Sequence, residues 1–204
     1  MSQDNLRKNI KHKKVMEKQK EKVEKGIANA DKERGVSILL TGNGKGKTSS
    51  AFGMAIRALG YDQKIGIVQF IKGEQLSGEE LYIRNNCPDV FFFQMATGFT
   101  WDTQDREADI VAAKKTWKEA KKLLSDESFE LVILDELTYM LSYDYLPEDE
   151  IIKTIKNRPQ EQSVVITGRG GGAAIKSIMD TISEVKEVRH AFYSGIKARR
   201  GVDY

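Results

Sequence analysis

Thr41-Gly42-Asn43-Gly44-Lys45-Gly46-Lys47-Thr48 gathers three glycines, two lysines and hydroxyl side chains into eight positions. Without a Cβ, glycine lets backbone N–H groups turn inward and surround phosphate oxygens. Lys47 supplies a point charge for those phosphates, and the Thr48 hydroxyl can reach a Mg²⁺ ion. A helix read from residue 47 onward would add its unpaired N–H groups and its positive end to the same anion. The pattern departs from the usual G-x-x-x-x-G-K-[ST] spacing: Thr41 holds the first position, and the additional glycines are Gly42 and Gly44. The residues therefore predict nucleotide phosphate binding by Gly42, Asn43, Gly44, Lys45, Gly46, Lys47 and Thr48, while leaving the register of the phosphates open.

A second chemical element lies at 131–136, where the apolar run Leu131-Val-Ile-Leu134 ends in Asp135 and Glu136. A buried strand ending in two carboxylates beside a phosphate loop can hold Mg²⁺ directly or through water. Thr48, Asp135 and Glu136 are the expected metal residues, and oxygen ligands of this kind admit Mn²⁺ as well as Mg²⁺. Arg169, between Gly168 and Gly170, can reach an anion. There is one cysteine, Cys87, and only two histidines, His12 and His190, which are read as structural. An internal disulfide and a cysteine-based metal cage are thereby excluded.

Short apolar runs at 36–40, 65–70, 90–94, 131–134 and 164–167 read as strands buried on both faces. Between them, 47–59, 79–86, 105–124, 147–156 and 173–181 read as helices. Pro147 followed by Glu148, Asp149 and Glu150 suits a helix start. The alternation predicts a P-loop (RecA-like) α/β fold, a doubly wound and mostly parallel sheet with helices on both faces. Ligands of such sheets bind at the carboxyl ends of the strands, where these motifs fall.

Residues 1–34 form a separate element in this reading, a basic N-terminal helix or lid ahead of a catalytic domain at 35–204. They hold 11 Lys/Arg against 6 Asp/Glu, whereas the rest of the chain is near neutral. Leu6, Ile10, Met16, Val23, Ile27 and Ala30 give that helix a thin apolar stripe, suited to light docking. No apolar run nears the roughly 20 residues that cross a bilayer, so no membrane association is expected. The charged N-terminus is unlike a secretory signal, and the expected compartment is the cytoplasm.

Several blocks, the glycine loop among them, look like successive signatures of one family. They are Gly42-Asn-Gly-Lys-Gly-Lys-Thr48, Val68-Gln-Phe-Ile-Lys-Gly73, Met95-Ala-Thr-Gly-Phe-Thr-Trp101, Arg106-Glu-Ala-Asp109, Leu134-Asp-Glu-Leu-Thr-Tyr139, Asp144-Tyr-Leu146, Thr167-Gly-Arg-Gly170 and Gly201-Val-Asp-Tyr204. Together they resemble the ATP:corrinoid adenosyltransferases of cobalamin biosynthesis and salvage, across essentially the whole chain. The resemblance implies that a Co(I) corrinoid attacks C5′ of ATP and that triphosphate leaves. The nucleophile is then the substrate's own metal, and the protein supplies position and charge neutralisation. ATP and corrinoid are the implied substrates, with a nucleotide reversed in the loop relative to hydrolases.

Further implications concern partners and individual residues. A reduced flavoprotein is the implied electron donor and a homodimer the implied assembly, with the N-terminal helix closing over the neighbouring subunit's site. Phe99 and Trp101 match the family positions that pack against cobalt's lower face, displace its axial ligand and ease reduction to Co(I). With Lys47 and Glu136 they make the expected catalytic set. Arg169 is expected on the triphosphate, whereas Gly171-Gly172-Ala173-Ala174 stands where the family carries a more polar stretch. Tyr139 and Tyr145 belong either near the corrinoid or in the core.

Other phosphate-loop chemistries compete on the residues alone. A nucleic-acid-dependent ATPase would use the basic arm, but that arm has no aromatic residue for base stacking, and no nucleic-acid partner is expected. A kinase would release ADP in place of triphosphate, and a regulatory module would show no turnover.

Overall fold

The computed structural model describes residues 3–71, 76–95 and 105–204. They divide into two compact units, one of residues 1–33 and one of residues 34–204. The first is a single helix, α1 (Gln3–Ala28). Exposed Lys13–Glu17 and Lys20–Glu24 pairs run along it, at 4.0 and 3.6 Å. Ile10, Val15, Met16, Val23 and Ile27 stay exposed on its surface, so packing inside this unit adds little to its stability.

Among the described residues the second unit holds six strands: β1 (Ser37–Thr41), β2 (Ile65–Gln69), β3 (Phe91–Gln94), β4 (Leu131–Asp135), β5 (Ser163–Thr167) and β6 (Thr181–Glu184). They form one sheet in the order β3-β2-β4-β5-β1-β6, and every pairing is parallel. Among the described residues its helices are α2 (Lys47–Leu59), α3 (Gly78–Asn86), α4 (Arg106–Ser125), α5 (Thr138–Ser142), α6 (Glu148–Lys156) and α7 (Gly172–Lys176), with a 3₁₀ turn at Ala191–Ser194.

Strand alternation divides the core into two layers. Leu40, Ile67, Ile133 and Val165 pack with Ala51, Phe52 and Ala55 of α2 and Ile83 of α3. Their neighbours Leu39, Val68, Leu134 and Ile166 face the other way, against Trp117 of α4, Met140 of α5, Ile151 of α6 and Ile175 of α7. Helices on both faces of a parallel sheet are the only cover that lets β2 and β4 be buried along their whole length. This is the doubly wound sheet expected from the sequence, all parallel where it was expected to be mostly so.

Two expectations need correction. The helix expected at 173–181 ends at Lys176, and the chain then adds a sixth strand at Thr181–Glu184. All four residues of that strand are exposed, so it lacks the apolar signature of a buried strand. The apolar run at 90–94 forms an edge strand whose residues are exposed to half-buried, not one covered on both faces. Among the described residues, no helix is long and apolar enough to cross a membrane.

Candidate functional site

β1 lies between β5 and the edge strand β6, and the glycine-rich loop leaves from its carboxyl end. Gly42 has φ +100° and Gly46, capping α2, has φ +114°, conformations that side chains with a Cβ resist. A Cβ on Gly42 would lie 2.4 Å from the Val185 carbonyl oxygen. That closeness reflects a zipper. The Val185 N–H donates to Thr41 O at 2.8 Å, and the Gly44 N–H donates to Val185 O at 2.8 Å. The segment after β6 thus braces the loop from behind.

Lys47 is buried, and its Nζ donates to the Gly44 carbonyl at 2.9 Å. Burial lowers its pKa, and the nearby Arg169 charge adds to this while Glu136 opposes it. The Thr48 hydroxyl sits half-buried at the first turn of α2. Lys45 is half-exposed, and its Nζ stands 3.1 Å from Asp203 Oδ1.

Strand register sets the two carboxylates apart. Asp135 lies opposite Gln69 of β2, and Leu134 opposite Ile166 places it beside Thr167 of β5. Its Oδ2 accepts from Gln69 Nε2 at 2.9 Å and its Oδ1 from the Thr167 hydroxyl at 2.6 Å. Thr167 Oγ1 in turn accepts the Glu136 N–H at 2.9 Å. Both oxygens of Asp135 are therefore engaged within the sheet. Glu136 follows in a left-handed conformation, φ +58°, which turns its side chain out of the strand. Its Oε2 is buried and has no hydrogen-bond partner among the described residues. Burial first, and the adjacent Asp135 second, push its pKa up to about 7 against the pull of Lys47 and Arg169.

From β5 the chain turns through Gly168, Arg169 and Gly170. A Cβ on Gly168 would fall 2.0 Å from Thr138 Oγ1, and that hydroxyl donates to the Arg169 carbonyl at 2.9 Å. Gly170, Gly171 and Gly172 also have positive φ, at +82°, +98° and +63°. The 168–172 stretch is thus a backbone feature held by glycine.

These parts enclose a cleft of about 370 Å³. Asn43, Gly44, Lys45, Gly46, Lys47, Thr48, Glu136 and Arg169 line it, so eight expected residues come together. Gly42 and Asp135 are absent from the lining, each engaged in the contacts just described. Phe99 and Trp101 lie outside the described residues, as do Lys72 and Gly73.

Ile71, Tyr139, Glu187 and His190 complete the walls. The sequence reads His190 as structural; its Nδ1 accepts the Phe192 N–H at 3.2 Å, and the residue lines the cleft because β6 carries the chain back beside the loop. No local pattern distinguishes it from a surface histidine. Tyr139 stands at the cleft with its pKa raised by burial and by Glu136. Tyr145 instead is buried, its hydroxyl 3.3 Å from Asp109 Oδ2.

Residues 33–204 match the family described as ATP:corrinoid adenosyltransferase BtuR/CobO/CobP. The corrinoid adenosyltransferase of Escherichia coli strain K12 is 51% identical over 185 residues, 91% of this chain and 93% of that protein. Its counterpart from Salmonella typhimurium strain LT2 is 49% identical over 188 residues, covering 92% and 95% of the two chains. The Pseudomonas aeruginosa protein is 47% identical over 197 residues and covers 97% of each.

Proposed function

From the premise that the chain belongs to the ATP:corrinoid adenosyltransferase family, we propose that the cleft between the glycine loop, Glu136 and Arg169 holds the triphosphate of ATP. As a member, the protein transfers the adenosyl group of ATP to the cobalt of a corrinoid. The observation that carries the site assignment is the convergence of Lys47, Arg169 and the loop amides with Glu136, whose Oε2 has no partner among the described residues.

The reaction asks little acid–base chemistry of the chain. Co(I) donates its electron pair to C5′, the C5′–O bond breaks, and that bond's electrons leave on triphosphate. In the proposal Lys47, Lys45, Arg169 and the α2 N-terminus meet the growing charge where it develops. Thr48 and Glu136 would hold Mg²⁺ or Mn²⁺, which supplies further neutralisation of the phosphates. The unpartnered Glu136 oxygen fits a hard cation, whereas Asp135, with both oxygens engaged in the sheet, would act through water or by orienting its neighbours.

The proposal keeps Phe99 and Trp101 as the apolar cover of cobalt's lower face. A homodimer, a cytoplasmic location and a reduced flavoprotein donor belong to it too, supported by the family resemblance. The test is anaerobic. Wild-type protein, MgATP and a chemically reduced Co(I) corrinoid should yield light-sensitive adenosylcorrinoid and triphosphate in equal amounts. Glu136→Gln and Arg169→Ala should lower the rate and raise the KM for ATP while leaving the KM for corrinoid unchanged. Full activity in both variants would place the triphosphate elsewhere.

A further inference from the structure

The block Gly201-Val-Asp-Tyr204 has no part in the chemistry above, yet the fold brings it to the phosphate loop. After β6 the chain braces that loop at Val185 and lines the cleft with Glu187 and His190. It then closes a compact turn at 199–204. Within the turn the Asp203 N–H donates to Arg199 O at 2.8 Å, and the Gly201 N–H donates to Tyr204 O at 2.7 Å. The Asp203 carboxylate is divided. Oδ2 accepts the Arg199 N–H at 2.8 Å, which holds the carboxylate inside the turn, and Oδ1 reaches Lys45 Nζ at 3.1 Å across to the loop.

The two loop lysines therefore differ. Lys47 is buried and held by the loop's own carbonyl. Lys45 is half-exposed at the rim, and a carboxylate from outside the loop already occupies it.

We propose that Asp203 is a positioning residue that acts through Lys45, a tethered counter-anion that exchanges with the triphosphate. In the nucleotide-free chain it holds the Lys45 ammonium at the rim of the cleft. Arriving phosphate oxygens take Lys45 over, and Asp203 stays anchored to the Arg199 amide. When the adenosyl group has been transferred, the bound product is a free polyanion in a cleft built for anions. Asp203 then competes for Lys45 and weakens the hold on that product. A carboxylate so placed favours release, the step that limits many well-organised active sites. The inference rests on the triphosphate site proposed above.

The test is a cycle of binding constants for inorganic tripolyphosphate, measured by calorimetry on the full chain with Mg²⁺. The proteins are wild type, Asp203→Asn, Lys45→Met and the double variant, with Asp203→Glu as the conservative control. Exposed ion pairs are worth little, so Asp203→Asn should tighten tripolyphosphate by about two- to five-fold. The same change in the Lys45→Met background should have no effect, and Asp203→Glu should restore the wild-type constant.

Equal tightening in both backgrounds would mean that only the overall charge changed, and would overturn the exchange. Unchanged or weaker binding in Asp203→Asn would overturn it as well. If wild type fails to bind tripolyphosphate while the adenosyl transfer proceeds, the site assignment itself falls and takes this inference with it.

Discussion

Glu136→Gln separates the cost of the site from its function. The carboxyl titrates at about 7 in the folded chain against about 4.5 in its ordinary setting. The folded state thus binds more protons than the unfolded chain between those values, and stability falls as pH rises through that window. At 1.36 kcal/mol per tenfold change in proton affinity, ionising Glu136 costs the nucleotide-free fold up to about 3 kcal/mol at pH 8. Below pH 4.5 the penalty is absent. Glutamine keeps the shape without the charge, so its effect on stability should depend on pH in the opposite sense to wild type. Urea unfolding of both proteins at pH 5 and pH 8, without nucleotide, measures this. The variant should gain about 2–3 kcal/mol on wild type between the two conditions, since every other titrating group is shared. Equal differences at both pH values would refute the claim that burial raises this carboxyl.

Lys47→Met should lower kcat/KM for adenosyl transfer by about 100-fold or more, as for loss of one positioned group that stabilises developing charge. Calorimetry should show weakened MgATP binding in the same variant. Gly42→Ala should lower the melting temperature by about 5 °C or more, because a left-handed residue with a Cβ costs about 1–2 kcal/mol before its clash with Val185 is counted. Phe99→Ala and Trp101→Ala should slow transfer when the corrinoid is supplied as Co(II) with a reductant, yet leave MgATP affinity unchanged. Loss of ATP binding in either would move these aromatics to the nucleotide. Deleting residues 1–30 should weaken corrinoid binding, and unchanged kinetics would remove the helix from the site.

What the sequence carried by itself was local and repetitive. A strand, a glycine loop and a helix start are adjacent in the chain, so β1, residues 42–48 and α2 were legible as one unit. So was β4, whose apolar run ends at Asp135 and Glu136 because the buried strand ends there. Boundaries fell within a residue or two for these elements, since burial on both faces leaves an unbroken apolar signal.

The tertiary structure decided what depends on distant segments meeting. β6 is polar and exposed, and its existence comes from pairing with β1, which no periodicity in its own four residues announces. Only that pairing brings His190 to the cleft and Asp203 to Lys45. The two carboxylates looked equivalent in sequence. Register gave Asp135 to Gln69 and Thr167, and left one oxygen of Glu136 buried with no partner among the described residues. A sequence fixes which groups can do chemistry, but desolvation and partnership depend on neighbours more than 30 positions away, and those are set only when the sheet assembles.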